Sequence, residues 1–153
     1  MLRKIFISII GFIALGIVPI LSDAAEIKIK IEGVGFFNHP PLFAARDAIV
    51  EVCKEFGEQV ELTLYLEDDE DGQQFMKEKN LSGHLPLALY INGSLAHQIE
   101  DRIVVFRDFI GRAWTKEDLR EVVEANVSGK TTAVAAPINA YSDFYRPLNT
   151  PAK

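Results

Sequence analysis

Two histidines, His39 and His84, are the side chains of this sequence best suited to chemistry. Imidazole is a common metal ligand, but two imidazoles make an incomplete site without a carboxylate or water. We therefore take His39 and His84 as candidates to line a small-ligand or metal pocket, if the fold brings them together. The alternative role for His39 is to cap the entrance of the first helix. The third histidine, His97, falls in a predicted hairpin strand and is expected at the surface.

The sequence has a single cysteine, Cys53, so no disulfide can form within the chain. Ile49, Val50 and Phe56 lie around it at helical spacing, which predicts a helix face turned inward. A buried free cysteine behaves as a small apolar side chain. Intermolecular pairing or thiol reactivity is the alternative.

An acidic run, residues 67–78, has the spacing of a calcium loop at Asp69, Asp71 and Glu78. The context argues against calcium, because residues 61–66 alternate like a strand where a helix should precede the loop. An acidic turn that leads into a helix, with its carboxylates near the helix N-terminus, explains the run better.

These residues depend on elements that the hydrophobic pattern predicts. Period-two alternation indicates strands, and a three-to-four-residue apolar stripe indicates helices. Asn92-Gly93 predicts a hairpin turn, and Thr115 with Asp118 resembles a capping box. In order, the prediction is a strand from 26, a helix 41–56, a strand 60–66, a helix 72–79, strands 87–91, 94–99 and 103–110, and a helix ending near 127.

This order of elements resembles the thioredoxin-like fold over residues 26–127. The cues are a strand that leads to a proline-containing helix start, a strand–acidic turn–helix unit, Pro86 directly before a central strand, and the Asn92-Gly93 turn. The resemblance implies an α/β three-layer sandwich, with a mixed central sheet flanked by helices. It also implies a cis-proline at Pro86, beside the start of the first helix.

The place where thioredoxins carry Cys-x-x-Cys has no thiol in this sequence, and Cys53 lies about three helical turns further on. Dithiol–disulfide exchange is therefore excluded by residue identity, and we expect a non-enzymatic protein without a cofactor. A backbone edge beside the proline offers a route to peptide binding without thiols. The predicted binding surface consists of Asn38, His39, Pro40, Pro41, His84, Leu85 and Pro86.

The N-terminus predicts export to the periplasm or the cell exterior. Arg3 and Lys4 precede a long apolar run, and small residues at Ala24 and Ala25 suit cleavage by signal peptidase. The predicted organisation is a signal peptide over 1–25, a domain over 26–127 and a mobile tail over 128–153. A retained membrane anchor is the alternative, and it would be the chain's one membrane contact. The net charge of −6 argues against nucleic acid as a partner.

The leading function predicted from the sequence is an exported, redox-inactive thioredoxin-like domain that binds a partner protein, a peptide or a small ligand. One alternative is a metal-binding or metal-handling envelope protein that uses His39 and His84. Another is a structural envelope protein that interacts through its C-terminal tail, where Tyr141, Phe144 and Tyr145 are the large anchors.

Overall fold

A computed structural model describes residues 28–81 and 85–136. The predicted leader, His84 and the end of the predicted tail lie outside these residues. In the described part, no helix has the length and apolar character needed to cross a membrane. The helices and strands are β1 (Ile29–Gly35), α1 (Phe43–Phe56), β2 (Val60–Leu66), α2 (Glu70–Glu78), β3 (Leu87–Ile91), β4 (Ala96–Ile99), β5 (Arg102–Val105) and α3 (Lys116–Val127).

The strand β1 lies at the centre of a mixed three-stranded sheet in the order β2-β1-β3. It pairs in parallel with β2 and antiparallel with β3, so that Val34 lies beside Tyr65 on one side and Ala88 on the other. The second sheet is an antiparallel pair of β4 and β5. The predicted α/β class with a mixed sheet is confirmed.

The two faces of the central sheet carry separate apolar clusters, because alternate side chains of a strand point to opposite faces. Ile29 and Ile31 of β1 pack with α1 and α3, whereas Val34 packs with Phe75 and Met76 of α2. The helices therefore cover both faces. Trp114 and Cys53 belong to the cluster with α1 and α3, which confirms the predicted burial of Cys53.

The Asn92-Gly93 turn forms as predicted, with positive φ angles of 48° and 78°. The chain then leaves β3 after a single bridge from Ile91 to Ser94, and β4 pairs with β5 instead. Residues 106–108 take the place beside β3, through the bond from the Leu89 amide to the Phe106 carbonyl. The predicted strand 103–110 is therefore too long.

The helices follow the predicted pattern with local differences. A 3₁₀ turn, Pro40–Leu42, precedes α1, and Gly57 ends α1 with a φ of 55°. The buried face of α1 includes Ala48 and Val52, whereas Val50 is only partly buried. The acidic turn is preceded by the strand β2 and not by a helix, which agrees with the argument against a calcium loop.

The expectation that His97 lies at the surface was wrong, because its side chain is completely buried. The cause is the chain after α3, the beginning of the predicted tail, which returns to cover the outer edge of β4. Ala133 forms a bridge with His97, and the Val134 amide donates to the Ala96 carbonyl at 3.0 Å. Residues 131–134 are therefore part of the domain.

The start of α3 is fixed by a capping box in which Thr115 and Asp118 bond to each other's backbone amides, at 3.2 and 2.8 Å. Asp118 also pairs with Arg102 of β5, which connects the small sheet to α3. Burial alone would raise the pKa of the Asp118 carboxyl, but the hydrogen bonds from Arg102 and Thr115 outweigh it and lower the pKa.

Asp118→Asn should lower the free energy of unfolding at pH 7 by about 1 kcal/mol, because the charged partner of Arg102 is lost. The folded-state pKa of Asp118 lies below its unfolded value, so its contribution is present above about pH 4 and is lost as the pH falls through the folded pKa. Urea unfolding at pH 7 and pH 3 should show the difference between variant and wild type shrinking at the lower pH.

The matched control is Asp101→Asn in the exposed turn before β5, which should change stability by less than about 0.5 kcal/mol. An Asp118→Asn deficit of the same size at both pH values would contradict the assignment.

Candidate functional site

A pocket of about 160 Å³ lies where β1 ends and α1 begins. Its walls come from three separate segments of the chain, which are the loop after β1 with the 3₁₀ turn, the residue before β3, and the loop after β5. Leu42 is buried, whereas His39 and Pro41 are exposed. The lining residues are Phe36, His39, Pro41, Leu42, Pro86 and Phe109.

Three of the predicted binding residues, His39, Pro41 and Pro86, line this pocket together. Asn38 and Pro40 are exposed beside it along the chain but do not line it. Leu85 is completely buried in the cluster on the α2 side, so its side chain is unavailable to a ligand. His84 lies outside the described residues, and its distance from His39 stays untested.

Two aromatic residues of the pocket, Phe36 and Phe109, were not predicted from the sequence. Phe36 follows β1 directly and places its ring 5.1 Å from the imidazole of His39. Phe109 belongs to the segment interpreted as a strand, but Asp108 adopts a φ of 66° and turns the chain. The Asp108 carboxylate accepts a hydrogen bond from the Phe109 amide at 2.8 Å, which stabilises that turn. In the sequence, the aspartate that precedes Phe109 was the available signal for this turn.

The ends of β1 and β2 and the loop before β3 are joined next to the pocket, where Phe36 and Pro86 contribute to both. Glu67, directly after β2, is buried, and its carboxylate accepts a hydrogen bond from the Leu85 amide at 3.2 Å. The Glu67 amide donates to the Gly35 carbonyl at 3.1 Å, and the Phe36 amide donates to the Pro86 carbonyl at 3.3 Å. The side chain and the backbone of Glu67 thus connect the end of β1, the end of β2 and the loop before β3.

The prediction of a cis-proline at Pro86 was wrong. No peptide bond within the described ranges is cis, so the bond between Leu85 and Pro86 is trans. The route to peptide binding beside this proline also loses support, because the Leu85 amide and the Pro86 carbonyl already bond within the protein. The apolar side chains around Pro86 are what this place offers to a ligand.

The chemistry available at the pocket is recognition of an apolar group with one polar contact. His39 occupies the N-cap position of the 3₁₀ turn, as its alternative role at the helix entrance required, but its side chain makes no capping hydrogen bond. Among the described residues, no group of three histidine, cysteine, aspartate or glutamate side chains is placed to hold a metal ion. The metal hypothesis therefore rests on His39 and the undescribed His84.

Cys53 takes no part in this site. It lies ten residues beyond Phe43 on α1, which corresponds to about 15 Å along a helix. Burial raises the pKa of its thiol to about 11, so the neutral thiol prevails at physiological pH. The thiolate is the nucleophilic form, and a buried neutral thiol is inert.

Comparison with family models, with curated proteins and with solved structures finds no match to this chain. The functional argument therefore depends on the geometry described above.

Gly35→Ala should destabilise the protein by about 1–3 kcal/mol, because the added methyl group cannot be accommodated without moving backbone. A Cβ at this position would lie 2.4 Å from the Pro86 carbonyl oxygen. The same change should push Pro86 away from β1 and distort the pocket. Urea unfolding measures the first effect, and amide chemical shifts of the lining residues measure the second.

Gly33→Ala, two residues earlier on β1, is the matched control. The nearest atoms to its added Cβ belong to side chains, with Leu64 Cδ2 at 2.8 Å and Leu89 Cδ1 at 3.1 Å. Side chains yield more easily than backbone, so this variant should be the less damaging of the two. Equal losses in both variants would mean that the contact with Pro86 is not the constraint.

Proposed function

We propose that this chain is an exported, non-enzymatic protein with a thioredoxin-like fold, whose pocket at the end of β1 binds an apolar side chain of a partner protein. The pocket is the observation that carries the proposal, because it joins His39, Pro41 and Pro86 with two aromatic rings. Residues of these types at the carboxyl end of a central strand form a concave, largely apolar site, which is typical of ligand recognition.

The strand order supports the thioredoxin-like part of the proposal. The parallel pair of β1 with β2 and the antiparallel pair of β1 with β3 agree with that fold, as does the presence of helices on both faces. The trans Leu85–Pro86 bond departs from it. The strand pairing involves many more backbone contacts than this single bond, and we give it the greater weight.

The size of the pocket favours a protein partner over a free small molecule. Pockets for drug-sized ligands are typically about 300–1,000 Å³, whereas this one is about 160 Å³. That volume suits a single leucine- or phenylalanine-sized side chain. The partner therefore inserts one apolar anchor, and the exposed His39 at the rim offers a hydrogen bond to the adjoining peptide backbone.

Short capped peptides of the form acetyl-Ala-X-Ala-amide test this pocket when X is Leu, Phe, Pro or Lys. We expect the Leu and Phe peptides to shift the amide signals of Phe36, Leu42 and Phe109 in a two-dimensional NMR titration, and the Lys peptide to leave them unchanged. Phe109→Ala should weaken the binding about tenfold or more, because a large part of the apolar wall is removed.

Phe43→Ala is the matched control, because Phe43 adjoins Leu42 in sequence but is 38% exposed and does not line the pocket. This variant should bind the peptides as the wild type does. Binding that survives Phe109→Ala, or chemical shift changes confined to another surface, would contradict the proposal.

Truncation after Ala136 separates the pocket from the tail hypothesis. The deletion removes residues 137–153 but keeps residues 131–134, which bond to β4. Peptide affinity should be unchanged in the truncated chain, as measured by the same NMR titration. A loss of affinity would instead favour the alternative in which the tail carries the interaction.

A further inference from the structure

His97 is a buried imidazole that connects β4 to the chain after α3. Its side chain is completely inaccessible to solvent, and both ring nitrogens have hydrogen-bond partners. Nε2 lies 3.1 Å from the Ser94 carbonyl oxygen, and Nδ1 lies 2.8 Å from the Thr132 hydroxyl oxygen. The ring therefore connects the turn before β4 to Thr132, which lies 35 residues after His97 in the sequence.

The hydrogen-bond partners of His97 show which ring nitrogen carries the proton. A carbonyl oxygen only accepts, so Nε2 carries the hydrogen and Nδ1 accepts from the Thr132 hydroxyl group. The Thr132 oxygen in turn accepts from the Asn126 side-chain amide at 3.0 Å, and that amide also donates to the Val122 carbonyl at 2.7 Å. Every donor in this chain of hydrogen bonds has an acceptor when the imidazole is neutral.

A second proton on His97 conflicts with this arrangement. The new hydrogen on Nδ1 would point at the hydroxyl hydrogen of Thr132, which would have to turn away. Among the described residues, the groups identified around the ring carry no charge to offset the new one. They are the Ser94 carbonyl, the Phe106 ring at 5.7 Å, Val104 of β5, Ala133 of the returning chain and, through Thr132, Asn126 of α3.

The segment that His97 holds is small. Its backbone bonds to β4 run from the Gln98 amide to the Thr132 carbonyl at 2.8 Å and from the Val134 amide to the Ala96 carbonyl at 3.0 Å. Thr132 and Val134 are only partly buried. Such segments open locally at a fraction of the free energy of global unfolding.

We propose that His97 is an acid-sensitive latch, whose protonation releases residues 131–134 and uncovers the outer edge of β4. Once the segment has left, the imidazole reaches water and its charge is solvated. The released state is therefore the one that binds the proton. The Gln98 amide and the Ala96 carbonyl are then free to pair with an extended strand.

The direction of the pH effect follows from the linkage between protonation and opening. Burial lowers the pKa of His97 in the closed state below its ordinary value of 6.5. The latch is therefore fully effective above about pH 6.5 and is lost as the pH falls from there through the closed-state pKa. One proton is taken up on opening, so the open population rises about tenfold per pH unit in this window.

Amide hydrogen exchange of the full chain between pH 7.5 and 4.5, corrected for intrinsic exchange rates, tests the latch. Protection of the Gln98 and Val134 amides should fall by up to about tenfold per pH unit below pH 6.5. Protection of the β1 amides should remain. The variant His97→Gln should abolish the pH dependence, and His39→Gln, at an exposed histidine, should leave it intact.

Three results would overturn the proposal. They are the same pH dependence in His97→Gln, unchanged protection of Gln98 and Val134 down to pH 4.5, and a parallel loss of protection throughout the sheet. If His97→Gln fails to fold, the wild-type histidine ring signals give the answer in a single NMR titration. The titration midpoint of His97 should lie below its ordinary value of about 6.5, and a midpoint at or above that value would reject the latch, because opening would then take up no proton in this window.

Discussion

The structure depends on the pairing of β1 with a strand on each side. Because β1 is central, its carboxyl end determines where the turn after β2, the loop before β3 and the start of α1 meet. Gly35 ends β1 with the Pro86 carbonyl so close that a methyl group would not fit between them. The buried Glu67 completes the junction through its carboxylate and its own amide. The pocket adjoins this junction, because Phe36 and Pro86 belong to both.

The same alternation of side chains that builds the sheet divides the protein into two cores. The cluster with α1 and α3 holds Trp114 and Cys53, and the cluster with α2 holds Phe75 and Tyr90. The pocket lies at the ends of strands, where Phe36 follows β1 and Pro86 precedes β3. A binding site at the carboxyl end of β1 therefore needs no gap in either core, and two of its lining residues, Phe36 and Leu42, are themselves part of the cluster with α1 and α3.

Sequence reasoning predicted the elements well where a period was repeated over many residues. The strand β2, the end of α1 at Gly57 and the capping box of α3 all follow from local rules. It failed where pairing at long range decides the outcome. The sequence pattern predicts His97 as an exposed strand residue, but Ala133 returns to cover it. The pattern also predicts Phe109 as a strand residue, but the chain turns at Asp108. The return of Ala133 has no signal within a short window of sequence, because it depends on residues brought together by the whole fold, whereas the turn at Asp108 has only the weak local signal of the aspartate itself.

The position of Cys53 has a consequence for how the chain reaches this structure. In the oxidising compartment predicted for it, exposed thiols pair and exchange, and oxidative folding proceeds over seconds to hours. Here the one thiol is withdrawn into the core and held in its unreactive form. Folding by packing alone leaves no mispaired disulfide within the chain to be corrected, so this fold forms without thiol oxidants or isomerases.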